Sequence, residues 1–237
     1  MKISIVIPVY NEEKRIKKNI EQIKKDFDDL KIEHEIIVVD DGSTDNTFEQ
    51  LLSCHGIKVY RLQENCGKGV AFRHGVHMSE GDKILMMDSD LQISPSEITH
   101  FLKSMDYWEA AAVIGNKYHT FGNLRYTLPR IIMSRVYNFI NRMLFGILLA
   151  DSQCGFKLFK AKPLKDILTK LHIRRFAFDI ELLVALKENG FRVSDAPVQL
   201  HKSKKTRAAN IGTVLNVLWD TFKIWIVKKM GYYRTED

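Results

Sequence analysis

The chain opens on an almost unbroken apolar run, Ile3 to Val9, without the in–out alternation of a half-exposed strand. Such a run fits a central parallel strand covered on both faces, and Pro8 brings it to a close. Ile16, Ile20, Ile23, Phe27 and Leu30 then recur at helical spacing with lysines between them. Asn11 is placed to cap that helix, with Glu12 and Glu13 in its first turn. Glu35 to Val39 predicts a second strand. It ends in Asp40-Asp41-Gly42-Ser43-Thr44-Asp45, a turn from which Thr44 or Asp45 would cap the next helix. Ile57 to Leu62 reads as a third strand, followed by Asn65-Cys66-Gly67-Lys68-Gly69 and a helix to about Met78. Ile84 to Met87 is a fourth. Ser94-Pro95-Ser96-Glu97 then carries three helix-start signals: a Ser cap, Pro in the first turn and Glu three on. Ala111 to Ile114 is a fifth strand.

This alternation predicts an α/β fold, a Rossmann-like, mostly parallel sheet with helices on both faces. Ligands of such sheets bind beyond the carboxyl ends of the strands. The polar clusters Tyr10-Asn11-Glu12, Asp40-Asp41, Gly67-Lys68-Gly69 and Asp88-Ser89-Asp90 all fall there. On an extended chain residues i and i+2 point the same way, so Asp88 and Asp90 leave the buried fourth strand side by side. Like charges that close call for a cation. A divalent metal with hard oxygen ligands supplies it, and Gln92 offers a third oxygen; a solvated loop or an Asp helix cap is the plainer alternative. Asp40 and Asp41 suit a nucleotide's ring N–H and hydroxyl groups. Gly67 and Gly69 let backbone approach a ligand, and Lys68 can reach a phosphate.

Composition narrows the picture. The 237 residues are 45% hydrophobic and 27% charged, ordinary for a folded domain with a sizeable core. The formal charge of +7 is concentrated in His201-Lys202-Ser203-Lys204-Lys205-Thr206-Arg207, which suits phosphate groups or an anionic membrane. No segment reads as a nucleic-acid module. Cys54, Cys66 and Cys154 read as free thiols in a reducing compartment, because the spacing of Cys54, His55 and Cys66 matches no zinc pattern. Met1-Lys2 runs straight into a strand with no signal peptide, and no apolar run reaches the roughly 20 residues of a membrane span.

Ile5 to Glu13, Val38 to Asp45, Gly67-Lys68-Gly69 and Asp88-Ser89-Asp90-Leu91-Gln92 together resemble the inverting family 2 glycosyltransferases of GT-A fold, in order and spacing, from residue 1 to about 115. Asp151-Ser152-Gln153-Cys154-Gly155-Phe156-Lys157-Leu158-Phe159 and Arg175-Phe176-Ala177-Phe178-Asp179-Ile180-Glu181-Leu182 resemble the dolichyl-phosphate glucosyltransferases and, less closely, the dolichol-phosphate mannose synthases. The resemblance implies one GT-A domain over 1–237: a nucleotide-sugar half at 1–115, an acceptor half at 116–207 and a C-terminal amphipathic helix at 208–237. It implies that Pro8, Tyr10, Glu12, Val39 and Asp41 hold the nucleotide of a UDP- or GDP-hexose, UDP-glucose favoured. It gives Asp88, Asp90 and Gln92 to Mg²⁺ or Mn²⁺ and the diphosphate, with Ser89, Lys68 and Lys202 on the donor side. Lys117 stands where the mannose synthases place an arginine, which keeps the charge and loses the bidentate fork. The basic loop lacks the family's glycine-serine-lysine pattern.

Two apolar stretches remain. From Leu128 to Leu149 a polar stripe of Arg130, Ser134, Asn138 and Asn141 crosses an otherwise apolar helix, which is either core or lies in a membrane interface. Val214 to Val227, followed by Lys228-Lys229 and Tyr232-Tyr233, repeats the pattern. The family reading places both on the bilayer, at its cytoplasmic face and without a span, with Arg130 on a lipid phosphate. A polyprenyl or dolichyl phosphate is already an anion and needs cations rather than a base, and Lys117 and Arg130 beside Asp90 are the catalytic candidates. A transferase to a sugar hydroxyl would instead need a base, from Asp179 or Glu181, although Asp179 equally reads as a helix cap.

Overall fold

A computed structural model describes residues 1–117, 128–175, 177–200 and 211–235, with the side chains of 128–132, 211 and 213 outside that description. The strands are β1 (Ile3–Val9), β2 (His34–Asp40), β3 (Lys58–Arg61), β4 (Lys83–Met87), β5 (Ala112–Asn116), β6 (Phe156–Lys160) and β7 (Val193–Pro197). The α-helices are α1 (Ile16–Asp29), α2 (Thr47–Leu52), α3 (Lys68–His77), α4 (Ile98–Tyr107), α5 (Leu128–Phe145), α6 (Ala161–Leu168), α7 (Phe178–Glu188) and α8 (Ile211–Lys229).

One seven-stranded sheet runs β3-β2-β1-β4-β6-β5-β7. β1 lies near its middle, in parallel register with β2 (Ile3↔His34) and β4 (Ile3↔Lys83). Six of its seven residues are buried, as its unbroken apolar sequence predicts. Each parallel return costs a crossover, and the crossovers become helices: α3, α6 and α7 pack together on one side, α1, α2 and α4 on the other. β6 is antiparallel to both β4 and β5. It therefore begins at the end of the sheet where β4 finishes, opposite Met87.

Several sequence-predicted caps move. Asn11 does not cap α1, which starts at Ile16 behind Arg15 with no side-chain cap. Asn11 takes a left-handed conformation, φ 53°, accepts the Thr44 N–H on Oδ1 and donates its own N–H to Ser43 Oγ. It ties the loop after β1 to the loop after β2, an attachment that outweighs a local cap. Glu12 and Glu13 accordingly precede α1. Neither Thr44 nor Asp45 is the residue before α2, which starts behind Asn46, but the Asp45 carboxylate does accept the Thr47 N–H at 3.0 Å. Ser94 caps as expected, accepting the Ser96 N–H ahead of a 3₁₀ turn with Pro95 first. The three cysteines are free, Cys154 buried and the others half-buried.

α5 ends at Phe145, four residues before the apolar stretch does, because Gly146 turns left-handed at φ 63°. Of its polar stripe, Asn141 is buried and Asn138 donates to the Ala150 carbonyl. Its large apolar side chains Met133, Val136, Phe139 and Met143 are exposed, and so are Leu215, Trp219, Phe222 and Ile226 of α8. The two helices meet where Tyr137 Oη lies 3.2 Å from Thr221 Oγ1. Among the described residues no helix is long and apolar enough to cross a membrane.

Candidate active site

β4 delivers the site. Its apolar run stops at Met87, and the Asp88 N–H is held by the Gly155 carbonyl at 3.0 Å. A Cβ at position 155 would fall 1.7 Å from Asp88 Oδ2, so any larger residue would displace that carboxylate. The start of β6 thus presses directly on the carboxylate. Beyond Asp88 the chain turns through Leu91 at φ 53°, and the Gln92 backbone N–H and side-chain amide both donate to the Asp90 carboxylate. Asp88, Asp90, Gln92 and Lys117 line one pocket with Gly155 and Phe156.

The two carboxylates are tuned apart. Burial raises the Asp90 carboxyl, and the charge on Asp88 raises it further, against hydrogen bonds from Gln92 and the charge of Arg15. Burial would raise Asp88 as well, but Lys68, with help from Lys157 and Lys117, outweighs it and holds Asp88 below the usual range. Lys68 Nζ sits 2.7 Å from Asp88 Oδ1. Asp88 and Asp90 with the Gln92 amide make a hard-oxygen set facing one pocket. Among the described residues no third His, Cys, Asp or Glu joins it. Two carboxylates completed by phosphate oxygens of a ligand is how Mg²⁺ is commonly held, so these residues fit a divalent cation.

Among the residues expected to hold the nucleotide, Asp41 is buried and accepts the N–H groups of Cys66 and Gly67 at 2.8 and 2.9 Å. Burial raises its carboxyl, partly offset by those N–H groups and by Arg175. Gly67, at φ 100°, lies so close to the Arg174 carbonyl that a Cβ would come within 2.5 Å of it. Asp40 is fully buried, accepts the Ser43 N–H and faces Arg61 at 3.3 Å. It braces the loop and presents no edge to a ligand. Val39 is equally buried and packs toward Gly75 of α3, with Pro8 its register partner on β1. Tyr10 is exposed above them, and Glu12 is engaged by Arg15. Ser89 is buried, its carbonyl accepting from Asn19 Nδ2 at 2.6 Å.

On the far side of the pocket Lys117 Nζ lies 3.3 Å from Asp151. Arg130 falls in the first turn of α5, but its side chain lies outside the described residues, and Lys202 lies outside them altogether. Leu200, the last described residue before that tract, pairs with Ile93.

Sequence reasoning missed a second ion pair. Lys157 is fully buried, donates to the Cys154 carbonyl and contacts Asp179 at 2.5 Å. Glu181, also fully buried, accepts the N–H groups of His172 and Ile173 at 2.9 Å and the Tyr233 hydroxyl at 3.0 Å. The only signal for Lys157 was a lysine between Phe156 and Leu158 in a run otherwise apolar. Neither candidate base is therefore idle: one neutralises a lysine, the other anchors a loop and the C-terminal tail.

The profile of glycosyl transferase family 2 matches residues 4–168. The chain belongs to that family, and it is a glycosyltransferase. Among curated proteins it is 30% identical to a dolichyl-phosphate beta-glucosyltransferase of Dictyostelium discoideum, over 99% of this chain and 77% of that one. It is 29% identical to one of Trichomonas vaginalis, over 99% and 76%. Among solved structures, glucosyl-3-phosphoglycerate synthase from Mycobacterium tuberculosis, in complex with Mn²⁺, UDP-glucose and phosphoglyceric acid, superposes with a TM-score of 0.73 at 19% identity, covering 94% of this chain and 79% of that one. The fold is of the GT-A type.

Proposed function

We propose that the protein transfers glucose from UDP-glucose to a polyprenyl or dolichyl phosphate at the cytoplasmic face of a membrane, inverting the anomeric centre and depending on a divalent cation. One observation carries the acceptor class: Lys117 lines the pocket beside Asp88 and Asp90, while Asp179 and Glu181 are committed elsewhere. A hydroxyl acceptor needs a base to take its proton; a phosphate monoester anion needs only positive charge to bring it against the donor diphosphate. The relatives named dolichyl-phosphate beta-glucosyltransferase support the same choice.

In this reading the 1–115 half takes the donor, with Asp41 and Tyr10 toward the nucleoside and Lys68 toward the diphosphate. A divalent cation on Asp88, Asp90 and Gln92 would offset the charge that develops on the leaving diphosphate. Lys202 stays with the donor, and Lys117 and Arg130 are the cations for the acceptor phosphate, brought in line with the anomeric carbon. Attack by its oxygen breaks the bond to the diphosphate and gives a β-linked product from an α-linked donor. The outward apolar residues of α5 and α8, interleaved with Arg135, Arg142, Lys223 and Lys229, suit an anionic bilayer surface.

A donor screen tests this. UDP-glucose and GDP-mannose are offered with a polyprenyl phosphate in anionic vesicles, with Mn²⁺ or with chelator, and the lipid is read by mass spectrometry. A hexosyl phosphate lipid with UDP-glucose and Mn²⁺ is expected; its absence, or an undiminished yield in chelator, overturns the assignment.

A further inference from the structure

Lys68 is paired with Asp88, one of the carboxylates proposed to hold the metal. Its ammonium is 2.7 Å from Asp88 Oδ1. Its backbone cannot move to relieve this. Gly67 is pinned by Asp41 and Gly69 donates to the Arg174 carbonyl at 2.9 Å, so the first turn of α3 is fixed at both neighbours of Lys68. The side chain is different: it is 33% exposed and Asp88 45%, so water reaches the contact and four rotatable bonds can carry the ammonium away.

We infer that Lys68 is a resident counter-ion that competes with the divalent cation for Asp88 and yields only when the donor's diphosphate offers it other oxygens. This rests on the metal reading above. An ammonium and a dication cannot both sit at full strength on one carboxylate. The donor-free enzyme would therefore bind metal weakly, and the nucleotide diphosphate, by drawing Lys68 off, would raise metal affinity. By linkage the metal raises nucleotide affinity by the same factor. Lys68 is thus a positioning residue that orders the loading of the site.

The experiment is a pair of Mn²⁺ titrations, followed by electron paramagnetic resonance of the free ion, on the full chain with and without UDP. In the natural protein UDP should tighten Mn²⁺ on the order of 5–150-fold, the usual span of coupling between two sites. In Lys68→Met the UDP-free affinity for Mn²⁺ should rise, and the gain from UDP should shrink several-fold. Lys68→Arg keeps the charge and should keep the weak UDP-free binding, which separates competition from a disturbed fold. UDP-free Mn²⁺ binding in Lys68→Met no tighter than in the natural protein would overturn the inference alone. No uptake of Mn²⁺ by the natural protein even with UDP would overturn the metal reading, and the inference with it.

Discussion

Two lysine–carboxylate pairs stand near each other at the carboxyl end of the sheet, and they do different work. Lys157–Asp179 is closed: the side chains are 0% and 9% exposed, and the lysine is held by a backbone carbonyl as well. Lys68–Asp88 is half open. Removing two charges from water costs several kcal/mol per ion, and a buried pair recovers that only while both partners stay. A half-exposed pair costs little to break, because water takes over. The closed pair is suited to fixing β6 against α7; the open pair is suited to exchanging partners. Family members with the same charge pattern along the sequence need not share this division, because depth, not residue type, creates it.

The largest effect should come from breaking the closed pair. Lys157→Met leaves Asp179 buried and uncompensated and should cost about 3–5 kcal/mol of stability, read by denaturant unfolding. Adding Asp179→Leu should recover much of it, since two apolar residues leave no stranded charge; a double variant as unstable as the single would mean the pair is not self-contained. Next, Asp90→Asn should leave stability almost unchanged yet raise the transfer barrier by about 3 kcal/mol, the scale of losing a group that stabilises developing charge. Measured turnover with an unaltered melting curve checks it.

Glu181 sharpens the contrast, being a buried carboxylate held by the N–H groups of His172 and Ile173 and the hydroxyl of Tyr233. Tyr233→Phe removes one charge-assisted bond and should cost roughly 1.5–3 kcal/mol, with the C-terminal tail becoming protease-sensitive first. The smallest effect belongs to the surface network at the opposite end of the sheet. There burial raises Glu35, but Lys58, Ser4, the Glu80 N–H and Lys2 outweigh it and bring the carboxyl from 4.5 to about 2. A depressed carboxyl contributes stability that is whole above 4.5 and is lost as pH falls through about 2. Glu35→Gln should flatten the stability curve in that window and lower stability near neutrality by the amount the natural protein loses across it.

The stretch up to residue 115 was legible because its strands are largely buried and its polar residues cluster where the strands stop. Asp88, Asp90 and Gln92 could be brought together from i, i+2 geometry alone, and they line one pocket with Lys117. The caps were misread because Asn11 bonds across 33 residues to Thr44, a contact no local rule contains. β6, β7 and the Lys157–Asp179 pair were hidden for the same reason: an antiparallel strand inserted between β4 and β5 leaves no periodic mark, and a buried lysine looks like a surface one until its partner is known. The direction of the α5 stripe was open too, since one amphipathic pattern serves a helix facing either way.

The insertion of β6 also bears on how the chain is made. β4 emerges from synthesis with one flank taken by β1, and its other flank waits for residues 156–160. Until they arrive, Ile84, Leu85 and Met86 present a row of unpaired N–H and C=O groups on an apolar edge, the kind of template that recruits foreign strands. A nascent chain stalled near residue 115 already contains β5, yet β5 cannot shield β4, because β6 lies between them. Fragments that stop there should aggregate edge to edge, and the late segment that presses on Asp88 doubles as the piece that closes this edge.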